Sequence, residues 1–170
     1  MRGHRSPSRK GESARVVASV LLAATLTGCG LRIPTDPEGT LDLIRARQTL
    51  RVGISHHPPR ITATPPAPPT GPEIDLVHRY ADHLGARITW TVDTEAALVE
   101  GLHHGRIDLV AAGLDTTSPW ATEIGMTRAY QQEQTPDGTT RRYVMAVPAG
   151  ENALLSDLER WLDQAVQENR

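Results

Sequence analysis

The stretch TEAALVEGLHHGRIDLVAAGLDTTSPW (94–120) decides the fold. TEAALVEGLHHG (94–105) reads as a helix, with Thr94 as its N-cap and Gly105 just past its end. RIDLVAAGL (106–114) is an apolar run too short for a helix and reads as a buried strand. At Asp115 the run breaks into a polar loop that carries one tryptophan, and apolar residues return at Ile124. A helix leading into a buried strand that opens into a polar loop is half of a repeating β–α unit.

Upstream the same alternation continues. TLDLIRAR (40–47) reads as a short amphipathic helix and TLRVGIS (49–55) as a strand. The segment HHPPRITATPPAPPTG (56–71) is rich in proline and is expected to be an irregular surface loop, because each proline lacks an N–H and fixes its own φ. PEIDLVHRYADHLG (72–85) is a second helix: Pro72 suits the first turn, Glu73 and Asp75 face the positive helix end, and Gly85 stops it. Ile74, Val77, Ala81 and Leu84 form its apolar face. ARITWTVD (86–93) is a further strand. Strands separated by helices of this length imply right-handed βαβ crossovers and a mostly parallel sheet. In such sheets ligands sit beyond the carboxyl ends of the strands, which singles out the loops beginning at Ser55 and Asp115.

Composition sets the bounds. The chain has 170 residues, is 38% hydrophobic and 22% charged, and contains no Phe, so its core is built from Leu, Val, Ile and Ala. Arg2, Arg5, Arg9, Lys10 and Arg15 precede the apolar stretch VVASVLLAATL (16–26), followed by Thr27, Gly28 and Cys29, the grammar of an export signal. The apolar stretch falls short of the roughly 20 residues of a membrane-spanning helix. Removing residues 1–28 leaves 13 basic and 19 acidic side chains, a net charge of −6 with no Lys. That balance excludes nucleic acid as a partner and excludes electrostatic binding to anionic lipid. GLRIPTDPEG (30–39) reads as a linker, and the domain is expected to span 40–170.

Two resemblances follow from these motifs. LTGC (26–29) resembles the bacterial lipobox, which implies that the thiol of Cys29, the only cysteine, carries a diacylglycerol and that residues 1–29 form a lipoprotein signal with its acceptor. The mature chain would then be anchored to a membrane through Cys29 and face the periplasm or the cell exterior. Next, TLRVGIS, the helix start GPEIDL, the Gly-x-x-Asp approach to the strand at 105–108 and GLDTTSPWATEIGMTRAY (113–130) together resemble lobe one of the bacterial extracellular solute-binding proteins, family 3, of the polar amino-acid transporter type. RRYVMAVPAGENALLSDLERWLDQ (141–164) resembles the segment by which those proteins return to lobe one, ending in a helix with a stripe of Leu154, Leu155, Leu158, Trp161 or Leu162, and Ala165.

The family inserts a second lobe at the hinge, where this chain has only QQEQTPDGTT (131–140). Asp137–Gly138 between two strand-like runs is a hairpin signal, so the expected architecture is one periplasmic-binding-protein-like α/β lobe with an antiparallel hairpin replacing hinge and second lobe. The resemblance implies a non-catalytic binder of a small solute, serving an ABC permease or a sensor, with no cofactor. The alternative is an interaction or scaffold lipoprotein whose former cleft face contacts a partner or a second copy.

In family members that bind amino acids, an arginine in the hinge-proximal loop clamps the α-carboxylate. The matching position here is Trp120, and the assisting threonine is Asp115. The candidate ligand residues are therefore Ser55, His56, His57, Gly113, Asp115 and Trp120, suited to a cationic ligand held against Asp115 with Trp120 as its aromatic face. The competing reading makes Asp115 a cap for the turn at SPWATE and Trp120 a core residue. Neither His56–His57 nor His103–His104 stands at a metal-ligand spacing with a carboxylate or Cys, and His78 and His83 belong to a helix surface, so no metal site is assigned. No GxSxG, P-loop or paired-carboxylate motif points to an enzyme.

Overall fold

The computed structural model describes residues 36–167. Cys29, the expected export signal and most of the expected linker lie outside those residues. The elements, in chain order, are α1 (Thr40–Arg47), β1 (Thr49–Ile54), α2 (Pro72–Leu84), β2 (Arg87–Val92), α3 (Glu95–His103), β3 (Leu109–Ala111), a 3-10 turn (Pro119–Thr122), β4 (Gly125–Met126), β5 (Gln131–Gln134), β6 (Thr140–Tyr143), β7 (Ala146–Val147) and α4 (Asn152–Gln167). The main sheet has the order β2-β1-β3-β7-β4. β1 pairs in parallel with β2 and β3, β7 runs antiparallel to β3, and β4 runs antiparallel to β7. Only β7 therefore opposes the common direction, as a mostly parallel lobe requires.

Alternation along the strands builds two cores, one on each face of the sheet. Leu50, Val52 and Ile54 of β1 and Leu109 and Ala111 of β3 join the apolar faces of α1, α2 and α4. Val110, Ala112, Val144 and Ala146 point the other way, onto Leu98, Val99 and Leu102 of α3. Each helix meets its face through the expected periodicity: Ile74, Val77, Tyr80, Ala81 and Leu84 are buried in α2, and Leu154, Leu158, Leu162 and Ala165 in α4. Leu155 and Trp161 are only partly buried beside that stripe.

The helix ends follow local chemistry. Pro72 opens α2, Gly85 closes it in a left-handed conformation, and Thr94 accepts a 3.4 Å hydrogen bond from the Ala97 N–H at the start of α3. The buried strand β3 is shorter than its apolar run, and Asp108 just before it has a structural task. Its carboxylate is buried, accepts from the Arg51 backbone N–H at 2.9 Å and from the Arg51 guanidinium at 2.6 Å, and pairs with Arg47. At the same end of the sheet, Glu151 accepts from the backbone N–H groups of Glu38 (2.9 Å) and Thr40 (2.7 Å), and Asp36 accepts from the Ala153 N–H at 2.5 Å. The start of α1 is thereby fastened to the start of α4.

The hinge region does close on itself. β5 and β6 form a separate antiparallel pair with Gln131 opposite Tyr143 and Glu133 opposite Arg141. The turn is a loop rather than a two-residue hairpin: Gly138 N–H bonds to the Thr135 carbonyl and Thr135 N–H to the Thr139 carbonyl, both at 2.9 Å, and Asp137 braces the loop by accepting from Thr139 N–H at 3.0 Å. The proline-rich loop is less irregular than its composition suggests, because N–H groups between the prolines find partners in two isolated bridges, His57 with Ile61 and Thr62 with Thr70.

Candidate functional site

β1 and β3 end side by side, and the residues that follow them meet. Ser55 donates its hydroxyl to the Ala112 carbonyl at 3.4 Å, tying the two strand ends together. Gly113 has φ +69°, and a Cβ there would lie 2.5 Å from Cδ2 of His57. The imidazole of His57 thus occupies the space a side chain at 113 would take. His56 turns outward, its Nδ1 accepting from the Ala63 N–H at 3.1 Å.

Beneath Gly113 lies a buried ionic group that the sequence reading did not single out. The Gly113 N–H donates to Glu73 Oε1 at 3.4 Å, and Glu73 Oε2 accepts from Arg60 Nε at 3.3 Å. Arg60 Nη2 also donates to the Tyr130 hydroxyl at 2.9 Å and to Gln131 Oε1 at 3.1 Å. Its guanidinium carbon stands 3.6 Å from the centroid of the Tyr143 ring, a cation–π contact. Glu73 is fully buried and the Arg60 side chain is 4% exposed. Burial pushes the Glu73 carboxyl up from the usual carboxylate range, against the opposing pull of the Arg60 guanidinium and the Gly113 N–H. Burial likewise pushes the Tyr130 hydroxyl up, reinforced by the neighbouring Glu73 charge. One small group therefore joins the proline-rich loop, the start of α2, the end of β3 and the base of the hairpin. Two signals for it were present: Arg60 is the only charged residue between His57 and Glu73, and Glu73 stands in the helix-start motif GPEIDL.

Asp115 sits at the rim. Its Oδ1 accepts from the Thr117 N–H at 2.7 Å and the Thr117 hydroxyl at 2.5 Å. The Thr117 hydroxyl bond holds the Asp115 carboxyl below its ordinary range against an opposing burial penalty, with further help from the Thr117 N–H and from Arg141 and His57 nearby. Its backbone bridges to Tyr143, and the next N–H, of Thr116, donates to the Arg142 carbonyl at 3.0 Å. The cap of the following turn is Ser118, whose hydroxyl accepts from the Trp120 N–H at 3.4 Å. Trp120 is half-buried and packs on the α3-side apolar cluster. Of the six residues named from sequence, Ser55, His57, Gly113 and Asp115 are drawn together around the two strand ends, while His56 and Trp120 lie to either side.

An open depression of about 660 Å³ adjoins the cluster, between α2, β5 and the end of α4, with Asp75, Leu76, Tyr130, Gln131, Gln132 and Val166 among its lining. Among the described residues no group of three or more His, Cys, Asp or Glu is placed to hold a metal ion, and no helix is long and apolar enough to cross a membrane.

A mostly parallel sheet with helices on both faces, closed by a hairpin at the hinge and with polar groups gathered at the carboxyl ends of its strands, defines one lobe of a periplasmic-binding-protein fold. The pattern of the bacterial extracellular solute-binding proteins, family 3, matches residues 50–170, and the chain belongs to that family. The membrane-bound lytic murein transglycosylase F of Vibrio cholerae serotype O1 is 34% identical over 95 residues, covering 55% of this chain and 17% of the relative. A probable amino-acid ABC transporter periplasmic-binding protein of Sinorhizobium fredii is 29% identical over 111 residues, 64% of this chain and 34% of the relative. The chain thus matches 17% and 34% of the length of these two relatives. Among solved structures, the arginine-bound form of domain 1 from TmArgBP, of T. maritima, superposes with a TM-score of 0.64 at 24% identity, covering 72% of this chain and 98% of that one. An ancestral cationic amino acid solute binding protein gives 0.67 at 16% identity, covering 76% and 94%. These likenesses establish the fold.

Proposed function

We propose that this chain is an extracytoplasmic, non-catalytic lobe that binds a small cationic solute for a transport system, held to a membrane by a lipid on Cys29, with 30–39 as tether and 40–170 as the binding body. Asp115 carries the reading. It is a rim carboxylate held in its ionised form, whose Oδ1 is committed to Thr117 and whose Oδ2 accepts no hydrogen bond. It stands where amino-acid-binding relatives place a threonine, and Trp120 stands where they place the carboxylate-clamping arginine. A ligand approaching Ser55, His57 and Gly113 therefore meets an acid rather than a guanidinium fork. A single lobe suffices for a ligand in at least one fold relative, since domain 1 of TmArgBP is described in an arginine-bound form.

The partner on this reading is an ABC permease or a sensor. The competing reading, a scaffold or interaction lipoprotein, gains support from the transglycosylase relatives, in which the same lobe forms a minor part of a protein that is not a transporter component by name. Thermal unfolding of the full chain with L-arginine, polyamines and quaternary amines tests the proposal. A ligand at a hundred times its Kd adds about 2.7 kcal/mol and raises the midpoint. Asp115→Asn should abolish the rise while leaving the unliganded midpoint nearly unchanged. Trp120→Ala lowers the unliganded midpoint if the ring only fills the apolar cluster, and removes the ligand response as well if the ring contacts the solute. No rise with any cation would overturn the solute reading in favour of the scaffold.

A further inference from the structure

The hairpin that replaces the second lobe is backed on one edge: β6 meets the segment at Asp115–Thr116, while β5 meets only β6. β5 and β6 form a two-stranded sheet of their own, and all four residues of β5, Gln131–Gln134, are exposed. An edge strand without Pro, Lys or a covering element is a template for a further strand. The pairing fixes which groups are open. Thr135 bonds to Thr139, and Glu133 and Gln131 share its phase, opposite Arg141 and Tyr143. Alternate residues therefore turn away from β6. On β6 the outward residue Arg142 is already engaged, its carbonyl accepting from the Thr116 N–H. On β5 the outward residues are Gln132 and Gln134, and among the described residues no strand lies against that edge. It borders instead the open depression of about 660 Å³ lined by Asp75, Leu76 and Val166, which leaves room for an added strand.

We propose that the β5 edge is a homodimer interface, pairing antiparallel with β5 of a second copy about a two-fold axis at Gln132. Charge selects this register. Centring on Gln134 would set outward Gln132 against Pro136, which has no N–H to donate, so bonds between outward residues leave Gln132 facing Gln132 of the second copy, or Gln132 facing Gln134. The latter would set Glu133 directly against its own copy, a like-charge pair. Centring on Gln132 instead places Glu133 opposite Gln131, leaves each Glu133 across from Arg141 of its own hairpin, and stacks two carboxamides on the axis. The sequence QQEQ is thus self-complementary in one register and repulsive in the next.

The test is a charge exchange on the axis, with the full chain in mild detergent and mass read by light scattering over a concentration series. Gln132→Lys alone and Gln132→Glu alone should each weaken the dimer several-fold, since each sets like charges face to face. An equimolar mixture of the two should restore it. Gln132→Cys should cross-link to itself on oxidation, whereas Asp137→Cys at the hairpin tip should not. A chain monomeric at every concentration, a dimer indifferent to charge at 132, or a Gln132→Cys cross-link only to some other protein would overturn the proposal. Solute-induced stabilisation is read on the monomer at low concentration, so the two proposals fail independently.

Discussion

Replacing Arg60 by Met tests the buried ionic group at the base of the site. The substitution keeps an unbranched apolar stem but removes the guanidinium, and with it the charge that faces the fully buried Glu73 and the donors to Tyr130 and Gln131. Glu73 would keep the 3.4 Å bond from the Gly113 N–H and its hydrogen bond with Tyr130, neither of which carries a charge. Removing one partner of a buried pair costs about 3–5 kcal/mol, because the other is left uncompensated. That is a large share of the roughly 5–15 kcal/mol by which a domain is stable. The pH dependence carries a second signature. Glu73 already has its folded-state pKa raised by burial, and removing Arg60 raises it further. A carboxyl with a raised folded pKa binds more protons folded than unfolded, so its penalty is absent below the unfolded value and grows as pH rises through the folded one. Urea unfolding followed by tryptophan fluorescence should therefore show a larger loss at pH 7 than at pH 5. The double variant with Glu73→Leu should recover a substantial part of it. A loss below about 1 kcal/mol with no dependence on pH would refute the argument and mean that water reaches Glu73.

Two further outcomes are expected. Gly113→Ala combines a left-handed backbone with a methyl 2.5 Å from the His57 ring, so it should cost about 1–2 kcal/mol from the backbone alone, read by thermal unfolding, and shift the imidazole resonances of His57. Asp137 has its pKa lowered to about 2, chiefly by the Thr135 hydroxyl. A depressed carboxyl stabilises above its unfolded value and loses that contribution as pH falls through the folded one, so the Thr139 amide resonance should hold steady from pH 7 to pH 4 and move only near pH 2.

How much of this could be read from sequence depended on whether the signal was local. Thr94, Pro72, Gly85 and the stripe of α4 declare themselves within a turn or two, and Asp137–Gly138 placed the hairpin although the turn around it is longer than the dipeptide alone suggests. The strand run 106–114 was overextended, because an apolar composition does not reveal that Asp108 is buried as a clamp for Arg47 and Arg51. Arg60 and Glu73 were invisible as a pair for a similar reason. They are 13 residues apart across a proline-rich loop, and what joins them is the return of the chain at Tyr130 and Tyr143. At the rim, residue type marked Asp115 and Trp120, but only the fold separates a carboxylate bonded through Oδ1 to Thr117 from an indole packed on the α3-side cluster.

The fastening of α1 to α4 has a mechanical consequence. A pull applied to the chain at Asp36 would reach the sheet only after loading the bonds from Glu38 and Thr40 to Glu151 and from Ala153 to Asp36. Those bonds join the first and last helices, so the force would be shared between the two ends of the lobe before it reached β1. The strand ends around Gly113, at the far side of the sheet, would stay unstrained while the clamp held. The bond on Asp36 would then be the first to yield, those on Glu151 the next, and the ligand side the last to feel the pull.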